Sequence, residues 1–347
     1  MAKLHEPFPI HNKLKTDNQK GDFMMKKLIS LVLAAAMTVS TCAISVFAEK
    51  PSFKVAIVQQ LDHPSLDEIR TAAESKLLAL ADEKDATVEV KVFNGQNDSS
   101  VLNQIGAKVV SDGYDAVIPI ATLAATCMVT ATEETDIPVV YAAISDPESA
   151  GLVDIANVTG TSDALNTAFI LDMMFAVQPD IKTVGLLYSR SEVNSETPIA
   201  QAKEYLDAKG VKYIEKTGNT TDEVLSAASE LAERCDAVFT PTDNVVMAAE
   251  SAVAEILNEA GVPHYTGADS FVYSGAFTTC GVNYTELGEK TAEMAFDILL
   301  GGEIPAYKVM DGGIITVNTE VAAKLGIDYS AFNDMANTVI EVVTSEE

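Results

Sequence analysis

Basic residues are scarce in this chain of 347 residues, in which 23 Lys and Arg stand against 51 Asp and Glu, for a formal net charge of −28. A nucleic acid or an anionic membrane surface would require clustered Lys and Arg, and the sequence shows no basic stripe. The negative net charge therefore disfavours both a nucleic acid and an anionic membrane as the partner.

Motifs of catalysis are also missing. The sequence contains no Gly-x-Ser-x-Gly, no His-Glu-x-x-His, no phosphate-binding loop and no Gly-x-Gly-x-x-Gly. A secreted α/β hydrolase would need a nucleophile and a histidine, and only His63 is well placed for that role. We therefore expect a binding protein that is not an enzyme and that uses no cofactor.

Cysteines are few and lack paired spacing. Cys127, Cys235 and Cys280 are typical of small buried apolar side chains, although secretion would permit one disulfide. No spacing resembles a zinc site, so no metal site is predicted.

Residues 1–48 differ in composition from the rest and are interpreted as an upstream extension followed by a secretory signal peptide. Lys26-Lys27 precedes the apolar run Leu28–Val39, and Val46-Phe47-Ala48 has the small-x-small pattern that signal peptidase cuts. The apolar run is short for a membrane span. We expect an extracytoplasmic protein that is secreted, periplasmic or at the cell surface, with a lipid anchor on Cys42 as the less favoured alternative.

From residue 51 onward, short apolar runs rich in β-branched residues alternate with helical patterns, which predicts parallel sheets covered on both faces. The series restarts at Thr183–Tyr188, about 120–130 residues after its first strand, which indicates two similar lobes. The predicted fold is thus α/β, with two Rossmann-like βα lobes and a three-segment hinge. The predicted segments are residues 51–160 plus 283–312 for lobe 1, 161–282 plus 313–332 for lobe 2, and 333–347 for a loosely ordered tail.

The buried run Val139–Ile144 ends in a polar loop, and Asn157–Asp163 is interpreted as the first crossover between the lobes. In each half, polar turns follow the strands, at the sheet edge where open α/β folds bind ligands. These turns predict a single site between the lobes for a small solute. The candidate residues are Gln60, Leu61, His63, Thr122, Ala124, Ser145, Asp146, Tyr188, Asn194, Ser195, Thr242, Asp243, Asn244, Asp269 and Ser270.

Two kinds of group in this set suit an amino acid. Hydroxyls and helix-start amides at Thr122 and Ser145 favour a carboxylate, and Asp146 or Asp243 would take an ammonium group. Each assignment has a plainer alternative. Asp243-Asn244 could only cap the next helix, Asp146 could belong to a simple turn, and His63 could order its loop.

Six stretches together resemble a known family. They are HPSLDEIR (His63–Arg70), VSDGYDAVIPIATLAA (Val110–Ala125), AAISDPESAGLV (Ala142–Val153), NVTGTSD (Asn157–Asp163), SEVNS (Ser191–Ser195) and PTDN (Pro241–Asn244). From Lys54 to about Asp328 the chain resembles the solute-binding components of ABC transporters, in the family of the tryptophan-binding TrpX-like proteins. Leu123 departs from the family pattern, in which proline is usual.

The resemblance implies a type I periplasmic-binding-protein fold that closes like a Venus flytrap on an aromatic amino acid, tryptophan or phenylalanine. It also implies a membrane permease as partner, and we expect a monomer. A sugar or nucleoside binder of the same fold is the alternative, although such a site usually carries several cleft aromatics. A LacI-like regulator would need a basic DNA-binding headpiece, which the N-terminal region does not provide.

Overall fold

The computed structural model describes residues 50–345, which form two α/β lobes. The sheet of lobe 1 has six strands in the order β11-β5-β4-β3-β1-β2, and every neighbouring pair is parallel. Its strands are β1 (Ser52–Gln59), β2 (Thr87–Asn94), β3 (Ala116–Ile120), β4 (Val139–Tyr141), β5 (Val158–Ser162) and β11 (Lys308–Val309). Its helices are α1 (Pro64–Glu83), α2 (Ser99–Ser111), α3 (Thr122–Thr132) and α10 (Tyr284–Leu299).

The sheet of lobe 2 has seven strands in the order β13-β12-β10-β9-β8-β6-β7, and only the β10–β12 pair is antiparallel among them. Its strands are β6 (Thr183–Tyr188), β7 (Lys212–Thr217), β8 (Ala237–Thr240), β9 (His264–Thr266), β10 (Thr278–Gly281), β12 (Ile314–Asn318) and β13 (Thr338–Val342). Its helices are α4 (Thr167–Val177), α5 (Glu196–Lys209), α6 (Thr221–Ala232), α7 (Asn244–Met247), α8 (Glu250–Ala260), α9 (Asp269–Tyr273), α11 (Thr319–Leu325) and α12 (Phe332–Met335).

The central strands form because their side chains are apolar on both faces. β3 is buried at all five positions, and the last five residues of β1 are buried as well, as expected for a parallel sheet covered by helices on both sides. Local chemistry sets the helix bounds. The Asp98 side chain accepts from the backbone N–H groups of Ser100 and Val101 to start α2, and Gly210 adopts the left-handed conformation that ends α5.

The chain passes between the two sheets three times: from β5 to α4, from β10 to α10, and from β11 to β12. The interpretation of Asn157–Asp163 as the crossover is wrong for Val158–Ser162, because these residues pair with β4 as a strand of lobe 1. The first segment of lobe 1 thus extends past residue 160, since strand β5 continues to Ser162.

Two glycines permit close approaches in lobe 1. A Cβ atom on Gly160, which has φ +155°, would lie 2.1 Å from the carbonyl oxygen of Tyr141 on the neighbouring strand. A Cβ atom on Gly288 would lie 2.5 Å from the carbonyl oxygen of Ile69. Helix α10 therefore packs directly on α1, which fixes a late segment of the chain to the first lobe.

The end of the chain differs from the expected loose tail. Thr338–Val342 pairs in parallel with β12, and Asn318 Nδ2 donates to Thr344 Oγ1 at 2.9 Å. The expectation is wrong for residues 338–344 because a β-branched segment adds an edge strand to the sheet of lobe 2. The predicted signal peptide and Cys42 lie outside the described residues.

Cys127, Cys235 and Cys280 are buried free thiols in the structure. Within residues 50–345, none of the helices combines the length and apolar character that a membrane crossing requires.

Candidate functional site

A cavity of about 30 Å³ lies between the lobes, bordered by the turns that follow the strands of both sheets. Pockets that hold small ligands usually measure several hundred Å³. The lobes therefore stand closed, and an amino acid enters only when they move apart or side chains turn aside. The lining residues are His63, Ser65, Leu66, Ala121, Thr122, Ala143, Ser145, Asp163 and Tyr284 from lobe 1, and Asn194, Thr242, Asp243, Asn244, Met247, Ala268, Ser270 and Phe271 from lobe 2.

Eight of the residues predicted from the sequence line this cavity: His63, Thr122, Ser145, Asn194, Thr242, Asp243, Asn244 and Ser270. The other seven do not. Leu61 packs against the apolar core, Ala124 is buried within α3, and the Tyr188 hydroxyl donates to Glu215 Oε2 at 2.9 Å. The remaining four, Gln60, Asp146, Ser195 and Asp269, contribute hydrogen bonds that hold the loops or the lobes together.

Hydrogen bonds across the cleft join the lobes on both sides of the cavity. Ser145 Oγ and Thr242 Oγ1 lie 2.9 Å apart, and His63 Nε2 lies 3.1 Å from Asn244 Oδ1. Ser65 Oγ donates to Asp269 Oδ1 at 3.3 Å. Burial, with Glu68 nearby, raises the pKa of Asp269 to about 6. The loops after the strands thus also form the contact surface of the closed lobes.

The N-termini of α1 and α3 both reach the cavity, through Ser65 and Thr122. Neither helix is capped by the side chain of the residue just before it, His63 or Ala121, although Gln60 Oε1 accepts from the Leu123 N–H of α3 at 3.0 Å. Uncapped N–H groups and the helix dipole favour an anion. Ala121 has φ +73° and ψ 164°, a conformation that is essentially reserved for glycine and costs about 1–3 kcal/mol. Such strain is typical of a functional site.

Asp163, which the sequence analysis did not select, is the acidic side chain that lobe 1 presents to the cavity. It is buried, and it accepts a hydrogen bond from Ser145 Oγ at 3.0 Å and another from Tyr284. Burial raises the pKa of this carboxyl group. Within the described chain no Lys, Arg or His forms an ion pair with it. Its position directly after strand β5 is the signal that could have identified it.

Asp243 has a mainly structural role. Its Oδ2 atom accepts from the Ser189 backbone N–H and the Ser195 hydroxyl, each at 2.7 Å, and its Oδ1 atom accepts from the Val246 N–H at 2.9 Å. The carboxylate therefore caps α7 and joins its own loop to the loop between β6 and α5. Its oxygens are occupied, so the capping alternative describes it better than ammonium binding.

Asp146 lies outside the cavity lining, beside a neighbouring cavity of about 220 Å³. It accepts from the Ser149 hydroxyl at 2.7 Å and from the Thr197 hydroxyl of lobe 2 at 2.6 Å. Although burial pushes its pKa upward, these hydrogen bonds leave the pKa of Asp146 below its ordinary value. Asp146 therefore fastens the rim of the cleft and is not placed to hold a ligand in the cavity.

Two buried polar atoms in the lining have no hydrogen-bond partner among the described residues: His63 Nδ1 and Ser270 Oγ. Buried polar atoms are nearly always bonded. Burial lowers the pKa of His63 to about 4, so its ring is neutral at neutral pH. Among residues 50–345, no Lys or Arg belongs to this lining. The cavity thus offers unused hydrogen-bonding atoms, two helix N-termini and a buried carboxylate to a ligand.

Residues 54–336 match the family described as "ABC transporter substrate binding protein". The chain is 32% identical over 314 residues to a tyrosine-binding protein of Clostridioides difficile (strain R20291), which covers 84% of this chain and 90% of that protein. Its fold is also similar to a solved ABC domain in complex with L-Trp from Streptococcus pneumonia. That structure has a TM-score of 0.77 and 30% identity over 84% of this chain and 100% of that one.

A ligand-free, open substrate-binding protein with adhesive properties from Clostridium difficile has 32% identity over 84% of this chain and 100% of that one, with a TM-score of 0.65. At nearly equal identity, this closed structure therefore superposes better on the complex with L-Trp than on the open form. Sugar-binding proteins are more distant; an ABC sugar transporter subunit from Rhodobacter sphaeroides has 16% identity and a TM-score of 0.58, which shows a shared fold alone. The chain belongs to the ABC transporter substrate-binding proteins and has their type I periplasmic-binding-protein fold.

Proposed function

We propose that this protein binds an aromatic L-amino acid between its lobes and delivers it to the membrane permease of an ABC importer. The observation that carries the proposal is the cavity itself, in which the N-termini of two helices and the buried Asp163 carboxylate face the same space. The relatives that bind tyrosine and L-Trp support the same class of ligand.

The ligand carboxylate binds at the N-termini of α1 and α3. The positive ends of both helix dipoles lie there, each in a helix of eleven residues or more, although Gln60 Oε1 already accepts from the Leu123 N–H of α3. His63, at the start of α1, adds its buried Nδ1 atom. No cationic side chain is required for this anion, because the backbone supplies the positive potential.

The ligand ammonium group binds Asp163. The carboxylate is desolvated by burial, which raises its pKa, and a bound cation would stabilise the charged form. Ser145 holds one oxygen of Asp163 and also meets Thr242 across the cleft. The Asp163 carboxylate is thus positioned by the end of β5 and, through Ser145, by a contact between the lobes. A bound ammonium group would stabilise its charged form at this point.

The apolar wall receives the ligand side chain. Leu66 of lobe 1 and Met247 and Phe271 of lobe 2 lie in the lining, and methionine sulfur and aromatic edges both make favourable contacts with an aromatic ring. Since this wall combines residues of both lobes, an aromatic ligand gains most of its contacts only when the lobes close. Because the ligand binds the closed state more tightly than the open state, it shifts the population toward the closed state.

The proposed delivery places the protein outside the cytoplasmic membrane as a monomer that meets its permease in the closed, ligand-bound form. The sugar or nucleoside alternative is less well supported. Of the described lining residues only Phe271 and Tyr284 are aromatic, and both are buried. A neutral sugar would also leave Asp163 and the two helix N-termini without a charged partner.

The chain contains no tryptophan, so bound L-tryptophan can be excited selectively while the protein's tyrosines stay dark. We expect a saturable change in its emission, with L-tyrosine and L-phenylalanine competing. Tryptamine, which lacks the carboxylate, and indole-3-propionate, which lacks the ammonium group, should each compete at least tenfold less well, because each forfeits a charge-assisted hydrogen bond of about 1.5–3 kcal/mol. Stabilisation of the protein by a sugar or adenosine, with no response to any amino acid, would refute the proposal.

A further inference from the structure

A chain of hydrogen-bonded side chains crosses the cleft beside the cavity. Gln60 Nε2 of lobe 1 donates to Glu192 Oε1 of lobe 2 at 3.2 Å, and Asn244 Nδ2 donates to Glu192 Oε2 at 2.7 Å. Asn244 Oδ1 in turn lies 3.1 Å from Nε2 of His63, which belongs to lobe 1. Glu192 is therefore the centre of a network that begins and ends in the opposite lobe.

Both ends of this network reach the ligand site. Gln60 Oε1 accepts from the Leu123 backbone N–H at 3.0 Å and so contacts the start of α3. The other end is His63, whose Nδ1 atom is buried in the cavity lining without a hydrogen-bond partner. Glu192 does not line the cavity, so it acts on the site through the residues that it hydrogen-bonds.

Glu192 is buried without a cationic partner among the described residues. The charged group that faces it is the Asp243 carboxylate, and the other side chains against it, Gln60, Asn194 and Asn244, are neutral. Burial, and then repulsion by Asp243, raises its pKa to about 7. When the lobes separate, Gln60 moves away from Glu192 and water reaches the carboxyl group. Hydration then restores the charged form of Glu192. Closure therefore favours the neutral acid.

Protonation of Glu192 reverses the direction of the hydrogen bonds. A carboxylate accepts from the Asn244 amide group, whose oxygen then accepts from His63 Nε2–H. The neutral acid keeps one accepting oxygen and gains one O–H that must donate. The amides of Gln60 and Asn194 are held by other hydrogen bonds. The Asn244 amide therefore turns over, its oxygen accepts from Glu192, and its NH₂ group donates to His63 Nε2. The ring proton of neutral His63 must then lie on Nδ1. The buried atom in the cavity changes from an acceptor to a donor.

We propose that Glu192 is a positioning residue that takes up one proton from solvent when the lobes close on ligand, and that Asn244 transmits this change to His63, whose Nδ1–H donates to the ligand carboxylate. The proposal rests on the proposed function, because it requires a ligand that carries an anion. One proton enters on Glu192, the His63 ring proton moves from Nε2 to Nδ1 through solvent, and the ring stays neutral.

The sign of the pH effect follows from the raised pKa. Because the closed state holds the Glu192 proton more tightly than the open state, its contribution to affinity is full below the ordinary carboxyl pKa and is lost as the pH rises through about 7. Asp269, with a pKa of about 6 beside Ser65 and Glu68 of lobe 1, acts in the same direction. His63, with its lowered pKa of about 4, acts in the opposite direction. A variant of Glu192 itself is needed to isolate its share.

The test compares the dissociation constant for L-tryptophan of the full-length protein and its Glu192→Gln variant at pH 5.5 and pH 7.5. The amide group of this variant donates to Asn244 at every pH and so reproduces the neutral acid. The ratio of the wild-type dissociation constant to the variant dissociation constant should rise about tenfold from pH 5.5 to pH 7.5, as expected for the loss of a single proton. Calorimetry in buffers of different ionisation enthalpy measures the protons taken up on ligand binding. The variant should take up nearly one proton fewer than the wild-type protein. Glu196→Gln, an exposed change of the same charge, should behave as wild type.

A measurement on the wild-type protein, with no change at Glu192, examines the second half of the proposal. The ¹⁵N imidazole spectrum of the wild-type protein with L-tryptophan should show His63 with its proton on Nδ1, assigned through loss of the signal in His63→Gln. A proton on Nε2, or an identical pH dependence in wild type and Glu192→Gln, would overturn the proposal while leaving amino acid binding intact. Failure of the wild type to bind any aromatic amino acid at either pH would overturn the proposed function, and this proposal with it.

Discussion

Thr197 of lobe 2 donates a hydrogen bond of 2.6 Å to Asp146 of lobe 1, across the rim of the closed cleft. Asp146 is held ready for it by the Ser149 backbone N–H at 2.9 Å and the Ser149 hydroxyl at 2.7 Å. None of these three side chains lines the central cavity. Their contact can form only when the lobes close, so it stabilises the closed state without touching the ligand.

Removing this rim contact should weaken ligand binding by speeding release. We expect Thr197→Val to raise the dissociation constant for L-tryptophan about threefold to tenfold, since a single hydrogen bond contributes about 0.5–1.5 kcal/mol. Stopped-flow fluorescence should assign the change mainly to the dissociation rate. Thr130→Val, the same substitution on the exposed face of α3, is the matched control. An unchanged dissociation rate in Thr197→Val would show that the rim contact does not stabilise closure.

Loss of the Asp163 charge should remove the ammonium site while the lobes stay folded. Asp163→Asn should weaken L-tryptophan binding about a hundredfold, because a buried charge pair typically costs 2–5 kcal/mol when one member is lost. Binding of indole-3-propionate, which has no ammonium group, should not fall. Asp154→Asn, at an exposed position in the same region, controls for the change in net charge. A parallel loss of both ligands would instead indicate a damaged cleft.

Gly160 should tolerate no side chain. Gly160→Ala would place a Cβ atom 2.1 Å from the Tyr141 carbonyl oxygen and should lower the free energy of unfolding by about 2 kcal/mol or more. Gly151→Ala is the comparison, because Gly151 also has positive φ, +69°, but nothing lies within 4 Å of its Cβ position. Urea denaturation measures both. Equal costs would mean that backbone conformation, and not the contact with Tyr141, decides the residue at 160.

The protein should be more stable with glycine than with alanine at position 121, although glycine usually destabilises a folded protein. The φ of +73° with ψ 164° at Ala121 is strained for any side chain, so Ala121→Gly should raise the free energy of unfolding by about 1 kcal/mol. Ala200→Gly, at an exposed position inside α5, should lower it by about the same amount. Thermal denaturation should shift the two melting temperatures in opposite directions. A loss of stability in both would show that Ala121 carries no strain.

Patterning in the sequence predicts the central elements well. The strand Thr183–Tyr188 has the predicted bounds, because an apolar run marks it locally. Ala116–Ile120 and Ser99–Ser111 carry equally local signals, an apolar run and the capping Asp98. The sequence pattern does not predict the strands Val158–Ser162 and Thr338–Val342. The first is rich in Thr and contains a glycine, and the second is an exposed edge strand, so neither shows the continuous apolar run of a buried strand.

The loops of the site were predictable, but the roles of their acids were not. Asp146 and Asp163 both follow strands of lobe 1, yet only Asp163 faces the cavity. Ala143, three residues before Asp146, has a positive φ of +56°, a local backbone conformation that the residue pattern does not predict. Asp243 was predicted on the correct loop, but its oxygens are taken by Ser189, Ser195 and Val246.

The packing of α10 on α1 has a consequence for how the chain assembles. Lobe 1 is incomplete without residues 284–309, and lobe 2 is incomplete until strand β13 adds residues 338–342 to its sheet. During synthesis, lobe 1 therefore cannot be completed before residue 309 is made, and lobe 2 cannot be completed before residue 342 is made. Contacts of such long sequence separation slow folding. Both lobes should therefore reach their final stability late in synthesis, and truncation near residue 330, which removes β13, should destabilise lobe 2 and not merely remove a loose tail.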